Sequence, residues 1–163
     1  MKKAHKIHIE KQKLNFSSAH FITFNENDCE TLHGHNYYTT LELRGQPNEN
    51  RFIIDFRIVK KEMQVICDSL DHKILIAMKN PHIKIKRSAT QLEIEFRDRK
   101  YSLPLSDVAE MPIQNTTVEM LSEYICNELH AALDKKGYLS NITSIEVGVE
   151  ETQGQMASCR IET

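Results

Sequence analysis

The chain has 163 residues, 40% of them hydrophobic, and a formal net charge of −2 at pH 7, so one domain with a sizeable core is expected. It contains no long basic run and no apolar run near the length of a membrane span, which argues against nucleic-acid and membrane partners. The four cysteines are scattered without a CxxC pair, and no apolar signal-peptide run follows the charged start. We therefore expect a reduced, cytoplasmic protein.

The spacing of apolar residues predicts strands and helices in a β-β-α-insert-α-β-β order. Two long strands come first, and a short apolar strand leads into an amphipathic helix; a β-meander follows, then a second helix and two closing strands. The predicted ranges are, in chain order, 6–20, 33–45, 52–54, 56–70, the insert 76–112, a helix that opens over 115–119, 145–151 and 157–161. This order predicts a single α+β domain over residues 1–163 with an antiparallel sheet.

Local signals refine three of these boundaries. The alternation changes parity near Glu10–Lys13, which indicates a β-bulge in the first strand. Asp55 is placed to cap the first helix. Thr116 and Glu119 have the spacing of a capping box at the start of the second.

Three histidines are predicted to converge at one end of the first strand pair. His33 and His35 are two residues apart in an extended segment, so both imidazoles lie on one face. His20 ends the preceding strand, and antiparallel pairing would bring it beside them. Three histidines around a divalent ion leave a fourth position open, which is the pattern of catalytic rather than structural zinc. The alternative is that His20 only packs at a strand end.

Four other residues are candidates for catalysis or for binding. Cys29 precedes the histidines in a polar loop, and it is either an activated thiol or an ordinary loop cysteine. Asp71 and His72 follow the first helix, where they form either a proton shuttle or a capping pair. Glu151 shares the apolar face of a strand, so it either has a buried partner or already reaches solvent.

Six short motifs in this order resemble the 6-pyruvoyltetrahydropterin synthase / 6-carboxytetrahydropterin synthase family along nearly the whole chain. They are Phe16-Ser-Ser-Ala-His20, Cys29-Glu-Thr-Leu-His33-Gly-His35-Asn-Tyr37, Ile54-Asp55-Phe56, Leu70-Asp71-His72, Asn115-Thr-Thr117-Val-Glu119 and Val149-Glu-Glu151-Thr152. The resemblance implies the tunnelling fold, in which the sheets of several subunits join into a barrel. The active sites then form between subunits, commonly in a hexamer. Joining subunits would also cover the open edges of a small sheet.

The same resemblance implies a role for each motif residue. His20, His33 and His35 hold zinc; Cys29 is the base or nucleophile, with Asp71 and His72 as proton-transfer partners. Glu151 anchors the pterin ring, and Thr117 and Glu119 line the same pocket. The implied substrate is 7,8-dihydroneopterin triphosphate. The Cys-x-x-x-His-Gly-His spacing resembles the branch that makes 6-carboxy-5,6,7,8-tetrahydropterin, acetaldehyde and triphosphate on the route to the deazapurine nucleosides of tRNA.

Two departures leave the reaction open. Glu30 directly follows Cys29, and in a related branch a glutamate replaces the cysteine and the side chain is cleaved to 6-hydroxymethyl-7,8-dihydropterin. Glu30 is thus either an alternative base or a solvated loop acid, and one or both activities are expected. The insert 76–112 is absent from compact members. Further alternatives are 6-pyruvoyltetrahydropterin formation and a non-catalytic pterin-binding subunit. The presence of Cys29, Asp71 and His72 argues against the non-catalytic subunit.

Overall fold

The computed structural model describes residues 3–163, apart from the side chains of residues 11–13, so the first two residues of the predicted domain lie outside it. Nine strands, two α-helices and a short 3₁₀ helix at Leu105–Asp107 account for the regular structure of this part of the chain. In chain order the strands and α-helices are β1 His5–His20, β2 His33–Gly45, α1 Phe56–Leu70, β3 Lys73–Ala77, β4 Lys84–Arg87, β5 Gln91–Phe96, β6 Arg99–Pro104, β7 Val108–Met111, α2 Val118–Lys135, β8 Ile142–Thr152 and β9 Gln155–Glu162.

The main sheet has six strands in the order β7-β3-β1-β2-β8-β9. Strands β1, β2, β8 and β9 pair antiparallel, as expected, and the register of the first pair shifts between Glu10 and Asn15, where a bulge was predicted. The sheet is nevertheless mixed, because β3 pairs parallel with β1 and β7 pairs parallel with β3. The prediction of a wholly antiparallel sheet was therefore wrong. The chain between β3 and β7 returns to the end of the sheet where β3 began, so both strands run in one direction.

The insert forms a separate three-stranded antiparallel sheet in the order β4-β5-β6, as the alternating runs indicated. The inner face of this sheet carries Leu92, Ile94 and Phe96, which are buried. Leu92 and Ile94 share a second apolar cluster with Phe21, at the end of β1. The insert is thereby packed against the segment that leads from the first strand into the loop before His33.

The larger core lies between the two helices and one face of the main sheet. Its most buried members come from the inward parity of the strands and the apolar stripes of the helices, for example Tyr37, Leu41, Met63, Leu121 and Val147. Residues of the other parity are exposed, as Tyr38 is, or half-buried. His33 and His35 have the parity of Tyr37, so they lie on the helix-covered face at one end of this core.

Two local predictions need correction. Residues 52–54 form no strand: Ile53 and Ile54 are buried in a bent segment that precedes α1, so their burial and not sheet pairing explains the apolar run. Asp55 does cap α1, with its carboxylate accepting from the Arg57 backbone N–H at 2.8 Å. No helix among the described residues is both long enough and apolar enough to cross a membrane.

The cap of α2 lies one residue later than the predicted capping box. Thr117 is the N-cap, and its hydroxyl oxygen accepts from the Met120 backbone N–H at 3.4 Å. Thr116 is instead buried, with its hydroxyl donating to the Phe21 carbonyl at 2.9 Å. Burial of Thr116 between the helix start and the end of β1 prevents it from capping the helix.

Candidate active site

The three predicted histidines converge as the strand pairing required. His20 is the register partner of His33, and His35 lies on the same face two pairs further along. Ring centroids are 4.8 Å apart for His20 and His33, 4.8 Å for His33 and His35, and 5.3 Å for His20 and His35. Each of these residues and Glu151 offers a donor atom within 4.8 Å of the others, so the group can hold a metal ion.

Backbone carbonyls orient two of the three rings. The Nδ1 of His20 lies 2.9 Å from the Thr116 carbonyl oxygen, and the Nδ1 of His33 lies 2.7 Å from the Thr31 carbonyl oxygen. A carbonyl can only accept, so each Nδ1 carries the proton and donates it, and each Nε2 presents a lone pair to the cluster. This is the arrangement that fixes the tautomer of metal-binding histidines.

Buried ring nitrogens without hydrogen-bond partners support a metal site. Within the described part of the chain, the Nε2 atoms of His20 and His35 are buried and make no hydrogen bond. The Glu151 Oε1 is 2.7 Å from the His35 Nε2 and 3.7 Å from the His20 Nε2, without hydrogen-bond geometry. Burial lowers the pKa of His20 to about 4, so its imidazole is neutral near pH 7. Imidazoles beside a carboxylate form a suitable donor set for a divalent cation.

The side chains of Cys29 and Glu30 have different neighbours. The Cys29 side chain is buried, and its Sγ lies 3.3 Å from the Arg99 Nη1. Burial raises the pKa of this thiol, although the neighbouring guanidinium acts in the opposite direction. The Glu30 carboxylate accepts from the Ile22 backbone N–H at 3.1 Å, and its Oε2 is 4.0 Å from the His33 Nε2. Of the two, Glu30 is the one in contact with a histidine of the cluster.

Asp71 and His72 form a pair on the other side of the sheet. The Asp71 Oδ2 is 2.7 Å from the His72 Nδ1, and the Asp71 Oδ1 accepts from the Ser17 backbone N–H at 2.7 Å. His72 has a φ of 56°, in the left-handed region, and its backbone N–H donates to the Ser17 carbonyl. His72 lines an open cleft of about 490 Å³ together with Ser17, Gly34, His35 and Asn36. Of these, Ser17, Gly34 and Asn36 have the parity opposite to the three histidines, so the cleft lies mainly on the other face of the sheet. The pair is therefore separated from the cluster of its own chain by the sheet.

Two further predicted residues lie at the start of α2. Thr117 is its N-cap, and Glu119 is exposed in its first turn. The neighbouring Thr116 ties this helix start to His20, and the sequence analysis did not identify that contact. The contact of Arg99 with the Cys29–Glu30 segment was missed as well. No local pattern signals either one, because each depends on how distant segments pack.

The fold is α+β, with two helices, a mixed sheet and, at the end of a strand pair, a histidine cluster that can hold a metal ion. A family model for 6-pyruvoyl tetrahydropterin synthase matches residues 8–162, and the chain belongs to this family. A relative from Methanocaldococcus jannaschii, provisionally named 6-carboxy-5,6,7,8-tetrahydropterin synthase, is 39% identical over 148 residues, which is 90% of each chain. One from Pyrococcus abyssi with the same provisional name is 31% identical and covers 83% of this chain and 79% of its own.

A solved structure extends the similarity to the insert. The 6-pyruvoyl tetrahydropterin synthase of Plasmodium vivax superposes with a TM-score of 0.94 at 30% identity, over 99% of this chain and 100% of its own. A match over 99% of this chain leaves no room to omit residues 76–112, so the insert has a counterpart there. A further structure of that protein is of a variant in which a glutamate described as a catalytic residue is replaced by alanine.

Proposed function

We propose that the chain is a zinc-dependent lyase that converts 7,8-dihydroneopterin triphosphate to 6-carboxy-5,6,7,8-tetrahydropterin, acetaldehyde and triphosphate. The observation that carries the proposal is the cluster of three histidines whose Nε2 atoms converge with Glu151. The names of the archaeal relatives support this product within the family. The product would enter a cytoplasmic pathway to the deazapurine nucleosides of tRNA. Neither nucleic acid nor a membrane would be a direct partner of the enzyme.

Zinc would be held by the Nε2 atoms of His20, His33 and His35. The two orphaned Nε2 atoms, and the carbonyls that hold the rings of His20 and His33, fit a cation of this kind. When bound, zinc would act as a Lewis acid that polarises the oxygens of the substrate side chain.

The pterin ring would be recognised by hydrogen bonds from its N–H groups. Glu151 is half-buried at the far end of β8, and its carboxylate can accept from a ring N–H and the exocyclic amino group. Thr117 and Glu119, at the start of the helix that contacts His20, would line the same pocket. In this assignment the Glu151 carboxylate lies beside His35 until substrate draws it to the ring.

The proton-transfer groups would come from two subunits. Asp71 and His72 lie on the face of the sheet opposite the histidines, so the pair cannot serve the cluster of its own chain in this arrangement. Strands β7 and β9 are open edges of the six-stranded sheet in the described chain, and edge-to-edge assembly would cover them. We therefore propose a homo-oligomer, a hexamer by family resemblance, in which one subunit's His72 faces its neighbour's histidines.

A second candidate reaction is cleavage to 6-hydroxymethyl-7,8-dihydropterin. It is favoured by the position of Glu30, whose carboxylate is 4.0 Å from the His33 Nε2 while the Cys29 thiol lies under Arg99. A carboxylate there can accept the proton of a side-chain hydroxyl. The Plasmodium vivax 6-pyruvoyltetrahydropterin synthase has a glutamate described as a catalytic residue, which supports a catalytic role for a glutamate in this fold. A third candidate, 6-pyruvoyltetrahydropterin formation, rests on the family name alone.

Product analysis of the purified protein separates these reactions. Wild-type protein loaded with zinc is given 7,8-dihydroneopterin triphosphate, and the pterins are separated by chromatography and identified by mass. We expect Cys29→Ala to abolish the carboxy product while zinc is retained, and Glu30→Gln to abolish any hydroxymethyl product. Glu26→Gln, which changes an exposed carboxylate in the same loop, is the matched control and should leave the products unchanged. Wild-type protein that yields none of the three pterins would refute the proposed function.

A further inference from the structure

The insert supplies an arginine that contacts the segment just before the histidine strand. Arg99 is the first residue of β6, and its Nη1 donates to the Glu30 carbonyl oxygen at 2.7 Å. The same nitrogen lies 3.3 Å from the Cys29 carbonyl oxygen and 3.3 Å from the Cys29 Sγ. The side chain is half-buried, so these contacts are partly protected from water. Hydrogen bonds from a charged donor are among the stronger ones in proteins.

These contacts fix the orientation of two neighbouring side chains. Cys29 forms a bridge with Thr23, and the Glu30 backbone N–H donates to the Ile22 carbonyl at 2.9 Å, so the segment is extended. In an extended segment, successive side chains point to opposite sides. A guanidinium that holds the carbonyls of both residues therefore places the thiol on its own side and the Glu30 carboxylate on the side of His33.

The two candidate bases are unequal in this arrangement. The Cys29 side chain is enclosed, with 8% relative exposure, and burial raises the pKa of its thiol. A neutral, enclosed thiol reacts slowly, because the thiolate is the reactive form. Glu30 carries its carboxylate at the histidine cluster, held there by the Ile22 backbone N–H. Exchange between the two would require the segment to leave Arg99.

We propose that Arg99 is a positioning residue, which turns Glu30 towards the histidines and keeps the Cys29 thiol away from them. The Cys29-dependent carboxy reaction would then require the Cys29–Glu30 segment to leave Arg99 during turnover, and the strength of the Arg99 contacts would set the ratio of the carboxy and hydroxymethyl products. The effect on products rests on the proposed function; the orientation of the two side chains does not. The insert would then be a clamp on the residues that select the reaction.

Three variants test the orientation. Arg99→Met keeps an apolar stem of similar length and removes every donor, whereas Arg99→Lys keeps one charged donor that can satisfy only part of the contact set. Arg97→Met is the matched control: Arg97 is exposed in the preceding turn and donates to the Asn27 side chain of the same loop, without a described contact to Cys29 or Glu30. Each folded protein is treated with iodoacetamide, and alkylation of Cys29 is followed by peptide mass mapping.

Because Arg99 also lowers the pKa of the Cys29 thiol, alkylation is followed across pH and the rates are compared on the high-pH plateau, where the thiol is ionised in every variant. There we expect Cys29 to be alkylated at least about tenfold faster in Arg99→Met than in wild type, because a strong charged contact is lost. Arg99→Lys should give an intermediate rate, and Arg97→Met should match wild type. An unchanged rate in Arg99→Met, or an equal rise in Arg97→Met, would overturn the proposal. Should Arg99→Met not fold, Arg99→Lys decides: a raised rate supports the proposal and a wild-type rate rejects it.

Product ratios then test the catalytic consequence. Arg99→Met should shift the products towards the Cys29-dependent carboxy pterin, and Arg99→Lys should restore part of the wild-type ratio. An unchanged ratio together with faster alkylation would refute the selection of reaction while leaving the orientation intact. Absence of every pterin product from wild type would refute the proposed function, and the alkylation rates would still decide the role of Arg99.

Discussion

Substitution of Thr116 by valine tests two roles of this residue, the orientation of His20 and the stabilisation of the fold. Thr116 is 1% exposed, its hydroxyl donates to the Phe21 carbonyl at 2.9 Å, and its Oγ1 lies 3.2 Å from the His20 Nδ1. Valine has nearly the same shape but cannot donate. The Phe21 carbonyl loses its donor, while the 2.9 Å contact between the Thr116 carbonyl and the His20 Nδ1 remains.

The expected magnitudes follow from these contacts. A buried carbonyl without its partner costs about 1–3 kcal/mol of unfolding free energy. In a protein of this length each kcal/mol lowers Tm by roughly 2–4 °C. Loss of contacts behind a metal-binding histidine lowers metal affinity by about 10–100-fold, and we expect about tenfold here because the carbonyl contact survives.

Two measurements and a matched control check this prediction. Zinc affinity is measured by competition with a chelator, and stability by thermal unfolding of the metal-free protein. Thr117→Val removes the cap of α2, which costs about 0.5–2 kcal/mol, but touches no histidine, so zinc affinity should stay at the wild-type value. A Thr116→Val protein with reduced stability and wild-type zinc affinity would refute the claim that the Thr116 hydroxyl helps to orient His20.

Two further predictions concern Asp71 and His72. The pKa of the Asp71 carboxyl is lowered chiefly by the hydrogen bond from the Ser17 backbone N–H. The ionised carboxylate therefore stabilises the fold fully above the unfolded-state pKa of about 3.9. This stabilisation is lost as the pH falls through the lower pKa of the folded state. The Tm of wild type should therefore exceed that of Asp71→Asn at pH 5–7, with the gap closing below about pH 4; a constant gap down to pH 2.5 would contradict this. If sites are shared between subunits, mixing inactive His72→Ala with inactive His33→Ala under subunit exchange should restore about one quarter of wild-type activity, since one half of the histidine clusters and one half of the neighbouring His72 positions are intact. No recovery, with exchange demonstrated by mass, would place both residues in one subunit's site.

Local periodicity was enough to predict the elements that position the histidines. Alternation in β1 and β2 gave the shared face of His33 and His35, and the bulge was visible as a change of parity. The helix 56–70 was predicted to the residue, because its cap and apolar stripe are both local signals. These features depend on residues close in sequence, so pattern alone identifies them.

Features set by distant contacts were missed. Strand direction in β3 and β7 depends on how the insert returns the chain, and the role of Thr116 depends on its burial against Phe21. The approach of Arg99 to Cys29 joins segments 70 residues apart. The predicted β-meander is present as β4, β5 and β6, but β7, which falls within the predicted insert 76–112, joins the main sheet. The segment that the meander contacts could not be read from its own sequence.

The central claim is that three imidazoles converge on one zinc ion, and metal content tests it most directly. Wild-type protein, His33→Ala and the control His8→Ala, which changes an exposed histidine on β1, are loaded with excess zinc, dialysed against zinc-free buffer and analysed by mass spectrometry of the metal. We predict one zinc per chain in wild type and His8→Ala, and a large loss in His33→Ala. A full zinc complement in His33→Ala, or none in wild type, would contradict the account.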